Sequence, residues 1–202
     1  ADYLTKPVNV SQLKRVLARL TQPGDLRAEI TELREGIESD GRFGGLWGRS
    51  APMLRLYDQI ARVAPTAVSV LLVGESGTGK EVVAQTIHDL SRRRTHPFLA
   101  VNCGAISPQL IESELFGVEP GAYTGAQRSR PGKFEIADGG TLFIDEIDSL
   151  PLHLQAKLLG AIQDSGTTRL GDHRFRASRF RLITASQSPL SALVKAGTFR
   201  AD

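Results

Sequence analysis

Short apolar runs alternate with stretches of helical periodicity along most of the chain. Runs such as Val68–Val73, Phe98–Asn102 and Phe180–Ala185 have the length and composition of buried strands. Between them, apolar residues recur every three or four positions, which predicts helices at 53–64, 80–90, 108–116 and 152–162, with Leu54, Tyr57, Ile60 and Ala61 facing inwards in the first. Because helices and strands alternate, we predict an α/β fold with a mostly parallel sheet that is covered on both faces.

The first 45 residues have a different pattern. Residues 1–20 contain a short strand remnant, a Lys6-Pro7 pair and one amphipathic helix, which is too little for a domain. In residues 21–45, Leu26, Ile30, Leu33 and Ile37 form a heptad seam shorter than two heptads. This predicted linker helix could pair with a second copy or pack on its own neighbour, and the pattern leaves both open. A larger domain is predicted over residues 46–202.

A glycine-rich segment directly follows the strand Val68–Val73. Its glycines allow backbone N–H groups to point at the phosphate oxygens of a bound nucleotide. The positive end of the next helix faces the same phosphates, and Lys80 adds a positive charge there. Glu81 stands where Ser or Thr usually follows the lysine, so that magnesium-binding hydroxyl is absent. A plain glycine turn is the weaker alternative. The predicted nucleotide-binding residues are Gly74, Glu75, Ser76, Gly77, Thr78, Gly79, Lys80 and Glu81.

A second motif, GGTLFIDE, is an apolar strand that ends in two carboxylates. Asp145 can hold Mg²⁺ directly or through water, and Glu146 can orient or deprotonate an attacking water. Two acids after a strand are otherwise most often a helix cap, but a phosphate loop in the same chain favours the catalytic interpretation. The predicted nucleotide site also includes Gly139 and Gly140, which precede the strand. It includes Trp47 as a wall for adenine, although a role in the core is equally open for this residue.

Composition narrows the class of protein. The single Cys103 rules out a disulfide within the chain and fits a reducing cytoplasm, and no apolar run reaches membrane-spanning length. The net charge of +3 and the arginine clusters at 92–94 and 169–181 are a weak indication of an anionic partner, and solvated faces or subunit contacts are the favoured interpretation. Residues 117–126, GVEPGAYTGA, place glycines around an aromatic residue and a threonine, which predicts a protruding, bent segment.

Together these motifs resemble the AAA+ domain of sigma-54-dependent transcription activators, the bacterial enhancer-binding proteins. The form GESGTGKE, including Glu81, is typical of that family, and ESELFG, GAYTGA and GKFEIADGGTLFIDEI follow in its order and spacing. The loop usually reads GAFTGA, and other AAA+ proteins lack it. This chain departs from the family pattern at three places. Val118 replaces the usual His, Pro120 replaces a lysine or similar residue, and Ser186-Gln187 replaces Thr-Asn. Residues 1–20 resemble the end of a response-regulator receiver domain.

The resemblance implies a P-loop AAA+ three-layer sandwich that binds ATP and Mg²⁺ between subunits of a ring, usually a hexamer. Asn102 would couple Glu146 to the GAYTGA loop, and Arg200 would act as an arginine finger on the neighbouring subunit. The loop would engage sigma-54 and RNA polymerase through Gly121, Ala122, Tyr123, Thr124, Gly125 and Ala126. The family's lid and C-terminal DNA-binding domain lie outside this chain, so enhancer DNA would bind elsewhere, and a sensor kinase would address the receiver domain.

Two other functions compete with an ATPase that remodels a transcription complex. A chain without the lid could bind nucleotide or sigma factor and fail to turn over. Another P-loop NTPase, such as a helicase loader or a protease unfoldase, would share the phosphate loop, but the GAYTGA segment argues against it. A steady-state ATPase assay on ring-forming protein separates the remodelling ATPase from the non-hydrolysing binding module.

Overall fold

A computed structural model describes residues 41–123 and 125–202. The predicted receiver remnant and most of the linker helix therefore lie outside the described residues. The chain divides into two compact units, with the boundary after Tyr57. Within the described ranges, none of the helices has the length and apolar character that crossing a bilayer requires.

The described part of the first unit is a small hairpin followed by the start of a helix. Strands β1 (Arg42–Phe43) and β2 (Leu46–Trp47) pair antiparallel, and helix α1 spans Ala51–Val63. The rings of Phe43 and Tyr57 stack at a centroid distance of 4.9 Å, and the Tyr57 hydroxyl donates to the Gly48 carbonyl at 3.2 Å. The aromatic stack therefore fixes the hairpin on the first turns of α1.

The second unit is built on four parallel strands. In space the order is β3 (Val70–Val73), β10 (Arg181–Ser186), β7 (Thr141–Asp145) and β4 (Phe98–Asn102). The registers pair Ser186 with Val73 and Asn102 with Asp145, so the carboxyl ends of the strands share one edge. Residues that end these strands are therefore neighbours, although they are far apart in the sequence.

Helices cover both faces of this sheet. Helix α2 (Lys80–Asp89) lies on one face, where His88 contacts the Phe98 ring and Phe98 stacks on Phe143. Helices α3 (Pro108–Phe116) and α5 (Leu152–Gln163) contribute to one buried cluster on the other face. The members of that cluster from the strands include Val101, Leu142, Ile144 and Leu182, which alternate with residues facing α2.

Short elements complete the unit. Strands β5 (Gly117–Val118) and β6 (Arg130–Pro131) pair antiparallel, as do β8 (Gly166–Thr167) and β9 (Arg176–Ala177). Helix α4 spans Lys133–Ile136, a 3₁₀ turn spans Ile147–Ser149, and α6 spans Leu190–Lys195.

The predicted α/β class and parallel sheet are confirmed, but individual details were wrong. The Val68–Val73 strand begins at Val70 in the structure. Leu54, predicted to face inwards, is 40% exposed, whereas Tyr57, Ile60 and Ala61 are buried. Periodicity identified the face of α1, but it could not identify where the neighbouring surface ends.

Candidate functional site

The candidate site lies along the carboxyl edge of the sheet. The glycine-rich loop follows β3, Asp145 ends β7 and Asn102 ends β4. The backbone N–H of Gly74 donates to the Ser186 carbonyl at 3.1 Å, which fixes the start of the loop to the end of β10. The parallel registers thus bring three predicted segments to one edge.

The loop has the form of an anion cradle. Gly77 and Gly79 adopt positive φ angles of 76° and 85°, and no atom lies within 4 Å of a Cβ built on either. The Lys80 ammonium donates to the carbonyls of Gly74 and Glu75, both at 2.8 Å, so its charge sits over the loop. Open space, turned glycines and a fixed ammonium at the start of α2 suit a phosphate chain.

The two carboxylates after β7 have different surroundings. Asp145 Oδ1 accepts the N–H of Glu146 at 2.9 Å, and its Oδ2 accepts the Asn102 amide at 3.3 Å. Each oxygen keeps a lone pair for a hard cation such as Mg²⁺. Glu146 adopts a left-handed conformation with φ 51° and ψ 48°, which is uncommon for a residue with a side chain and is found more often at functional sites.

Asn102 organises the turn beside these carboxylates. Its side-chain oxygen accepts the N–H groups of Gly104 and Ala105 at 2.8 and 3.0 Å, while its amide nitrogen points at Asp145. The Cys103 thiol is buried here, and burial together with the negative charge of Asp145 raises its pKa to about 12. The thiol is therefore neutral at physiological pH.

Two predicted contacts are not brought to this edge. Gly139 and Gly140 precede the amino end of β7, whereas Asp145 ends it, and a five-residue strand spans roughly 17 Å. A side chain at Gly139 would meet His96, and one at Gly140 would overlap the Pro97 backbone, so these glycines serve packing at the opposite edge. The predicted nucleotide contact at Gly139 and Gly140 has no geometric support.

Trp47 lies in the first unit and is 66% exposed. The Arg42 guanidinium lies 5.4 Å from the centroid of its ring, a cation–π contact. The predicted role of Trp47 against adenine stays a prediction.

The segment around Arg200 is anchored by a buried glutamine. Gln155 accepts the Arg200 backbone N–H at 2.9 Å and donates to the Thr198 carbonyl at 3.2 Å. The guanidinium binds both oxygens of Asp202, at 2.8 and 2.6 Å, on an exposed surface. The backbone of Arg200 is therefore anchored, while its guanidinium is exposed to solvent. An interaction with another subunit would need both.

The described residues of the GAYTGA segment, 121–123 and 125–126, belong to a tight turn with two glycines of positive φ. The Gly121 N–H donates to the Ala126 carbonyl at 2.9 Å, and the Ala126 N–H donates to the Tyr123 carbonyl at 3.0 Å. Gly121 and Gly125 have φ angles of 84° and 102°. Tyr123 is 44% exposed, and Thr124 lies outside the described residues. The described part agrees with a bent segment that presents an aromatic side chain.

A charged cluster holds the base of that segment. Arg169 donates to both oxygens of Glu135 at 2.7 Å and to Glu119 at 3.0 Å, and Arg176 lies 3.2 Å from Glu119. These hydrogen bonds hold the pKa of Glu135 below its usual range and raise the pKa of Arg169. The Glu119 N–H also donates to the Leu170 carbonyl at 2.9 Å. The β8–β9 region is thus tied to the start of the loop.

Sequence reasoning missed Gly104, Ser186 and Gln155 as parts of the site. Ser186 was noted only as a departure from the family, yet its carbonyl anchors the phosphate loop. The Asn-Cys-Gly-Ala order after a strand is a recognisable Asx-turn signal and could have pointed to Gly104. Nothing in the sequence marks Gln155, because its partner lies 45 positions away.

Known proteins are similar to this chain in sequence and fold. The family described as "Sigma-54 interaction domain" matches residues 46–202. The regulatory protein AtoC of Escherichia coli K12 is 43% identical over 201 residues, and the C4-dicarboxylate transport transcriptional regulatory protein DctD of Pseudomonas aeruginosa is 45% identical over 202. Each alignment covers 100% of this chain and 44% of the relative. The crystal structure of NtrX from Brucella abortus in complex with ATP matches with a TM-score of 0.71 and 35% identity, over 100% of this chain and 44% of that one.

The chain spans less than half the length of these relatives. The family match covers 157 of its 202 residues, counted from 46 to 202. The chain accordingly belongs to the family of sigma-54-dependent transcriptional activators, of which it carries the P-loop sigma-54 interaction domain.

Proposed function

We propose that this chain is the ATPase module of a transcription activator that hydrolyses ATP in a ring and remodels sigma-54 RNA polymerase for open-complex formation. One arrangement carries the proposal. The Lys80 ammonium lies over an open glycine loop, and the Asp145–Glu146 pair ends a strand at the same sheet edge. Binding of nucleotide and activation of water need these groups at one edge of the sheet.

Nucleotide binding is proposed for the loop from Gly74 to Glu81. Backbone N–H groups of the loop and the amino end of α2 would bind the phosphates, and Lys80 would exchange its two carbonyl partners for phosphate oxygens. Glu81 is exposed and offers no hydroxyl. The ATP named in the NtrX structure supports this choice of ligand.

A magnesium ion would be held by Asp145. Its two oxygens each have one protein donor and a further lone pair. When bound, the ion neutralises charge on the phosphate oxygens. Asp145 is oriented from both sides, by the Asn102 amide and the Glu146 N–H, so little side-chain entropy remains to be lost on binding.

Glu146 is proposed as the general base. It accepts a proton from the water that attacks the terminal phosphate, and its backbone conformation is fixed by the bond from its N–H to Asp145. The predicted coupling of Glu146 to the GAYTGA loop by Asn102 would use the 102–105 turn, because the side-chain bonds of Asn102 go to Asp145, Gly104 and Ala105.

The partner-binding surface is proposed at residues 121–126, with Tyr123 as the aromatic contact to sigma-54. Rigid aromatic side chains give large contact area at small entropic cost. Arg200 would reach the neighbouring subunit's nucleotide, which requires a ring of copies, hexameric in the resembling family. The intact protein would act in the cytoplasm, with enhancer DNA and a sensor kinase as partners of its other domains.

The proposal is tested by nucleotide titration and steady-state hydrolysis on the intact protein and two variants. Lys80→Ala should lose ATP binding, and Glu146→Gln should bind ATP with unchanged affinity and stop hydrolysis, since an amide cannot accept the proton. Unchanged ATP affinity in Lys80→Ala would refute the binding role. Absence of turnover in the unmodified, ring-forming protein would favour the alternative of a non-hydrolysing binding module.

A further inference from the structure

We propose that Gly104 is a positioning residue for the carboxylate of Glu146, an inference that rests on the proposed role of Glu146 as general base. A Cβ built at Gly104 would overlap the Glu146 oxygen Oε2 and would lie 3.0 Å from its carboxyl carbon. The carboxylate thus occupies the space that a side chain at 104 would fill.

The backbone at this position does not require glycine. Gly104 is absent from the residues with positive φ, so its conformation is open to any L-residue. The three atoms nearest to a Cβ are two of Glu146 and, at 3.4 Å, the side-chain oxygen of Asn102. The missing side chain therefore serves the carboxylate of Glu146 and not the shape of the turn.

The turn that carries Gly104 is pinned on both sides. Its N–H and that of Ala105 donate to Asn102, and the Cys103 N–H donates to the Asp145 carbonyl at 3.0 Å. Cys103 is 5% exposed, so the turn has little freedom to recede. A methyl group at 104 would therefore move the flexible carboxylate rather than the backbone.

The backbone of Glu146 is equally fixed. Its N–H donates to Asp145 at 2.9 Å, and its carbonyl accepts the N–H of Ser149 at 2.9 Å. Because the backbone of Glu146 is held by these bonds, rotation of its flexible side chain is the easier way to relieve the overlap. A normal carbon–oxygen contact needs more than 1 Å of movement, and displacements of about that size cost roughly a hundredfold in rate at reacting groups.

The test compares four forms of the intact protein by ATP titration, thermal unfolding and steady-state hydrolysis. Gly104→Ala should keep ATP affinity, KM and melting temperature and lower kcat between about ten- and a hundredfold. Gly160→Ala is the matched control, because a Cβ there meets nothing within 4 Å, and its kcat should not change. Glu146→Gln reports whether the proposed base is used at all.

A double variant makes the assignment specific. In the background of Glu146→Ala, which has no carboxylate to displace, adding Gly104→Ala should change the residual kcat by less than threefold. A kcat of Gly104→Ala within threefold of the unmodified protein, while Glu146→Gln is inactive, would overturn this inference alone. A parallel loss of ATP affinity or melting temperature would also overturn it, by showing a merely structural role. Active Glu146→Gln would instead refute the proposed function.

Discussion

Replacing Arg169 by methionine should release the base of the GAYTGA segment. Methionine keeps the apolar stem and removes the guanidinium. In the folded chain that group makes two bonds of 2.7 Å to Glu135, one of 3.0 Å to Glu119 and one of 2.7 Å to the Ser129 hydroxyl. Arg176 is the cation that remains, 3.2 Å from Glu119 and 3.6 Å from Glu135.

The magnitude follows from the burial of the partners. The side chains of Arg169 and Glu135 are each 15% exposed, and that of Glu119 is 24% exposed. Breaking a fully buried pair costs about 3–5 kcal/mol, and an exposed pair is worth about 0–1 kcal/mol. Because Arg176 retains part of the attraction, we expect about 2 kcal/mol, which is roughly a thirtyfold increase in local opening.

Hydrogen exchange measures this opening directly. The N–H groups of Glu119 and Leu170 are bonded to the carbonyls of Leu170 and Gly117, so their exchange rates report whether the base of the loop is closed. Arg130→Met is the matched control, because Arg130 makes an ion pair to Glu114 at 2.8 Å with 53% of its side chain exposed. Exchange in Arg169→Met no faster than in Arg130→Met would refute the reasoning.

Three further outcomes are expected. Arg181→Met should lower the free energy of unfolding by about 3 kcal/mol in a urea titration, because the buried guanidinium donates hydrogen bonds to the carbonyls of Val63, Ala64 and Val68. A loss below about 1 kcal/mol would contradict this. Burial lowers the pKa of His88, so as the pH falls the unfolded chain takes up a proton before the folded chain does. The free energy of unfolding should therefore fall as the pH drops below about 6.5. Denaturation curves at several pH values should show a weaker pH dependence for His88→Gln. The isolated 202-residue chain should be a poor ATPase, and robust, concentration-independent turnover would contradict the need for assembly.

The sequence specified the sheet and the chemistry better than it specified contacts between distant segments. Short apolar runs located β4, β7 and β10, and the phosphate loop was placed by its own residues. The parallel rule then predicts that Asn102 and Asp145 lie together, as they do. Local patterns succeed where one strand or one turn carries the whole feature.

Features that depend on tertiary packing escaped the sequence. Gly139 and Gly140 belong to a motif that contains Asp145, but the strand between them separates them from the site. The closeness of Gly104 to Glu146 arises because β4 and β7 are neighbours with a defined register. Arg169 lies in a cluster of arginines that looked solvated, and only the fold brings Glu135 to it, 34 residues away in sequence.

Capture of sigma-54 tests the central claim most directly. Purified sigma-54 would be mixed with the intact protein in the presence of ADP, of ATP or of an analogue of the hydrolysis transition state, and the complex would be measured by size-exclusion chromatography. We predict a complex with the analogue and its loss in Tyr123→Ala, with nucleotide affinity within twofold of the unmodified protein. Equal capture of sigma-54 by Tyr123→Ala, or capture that ignores the nucleotide, would contradict the account.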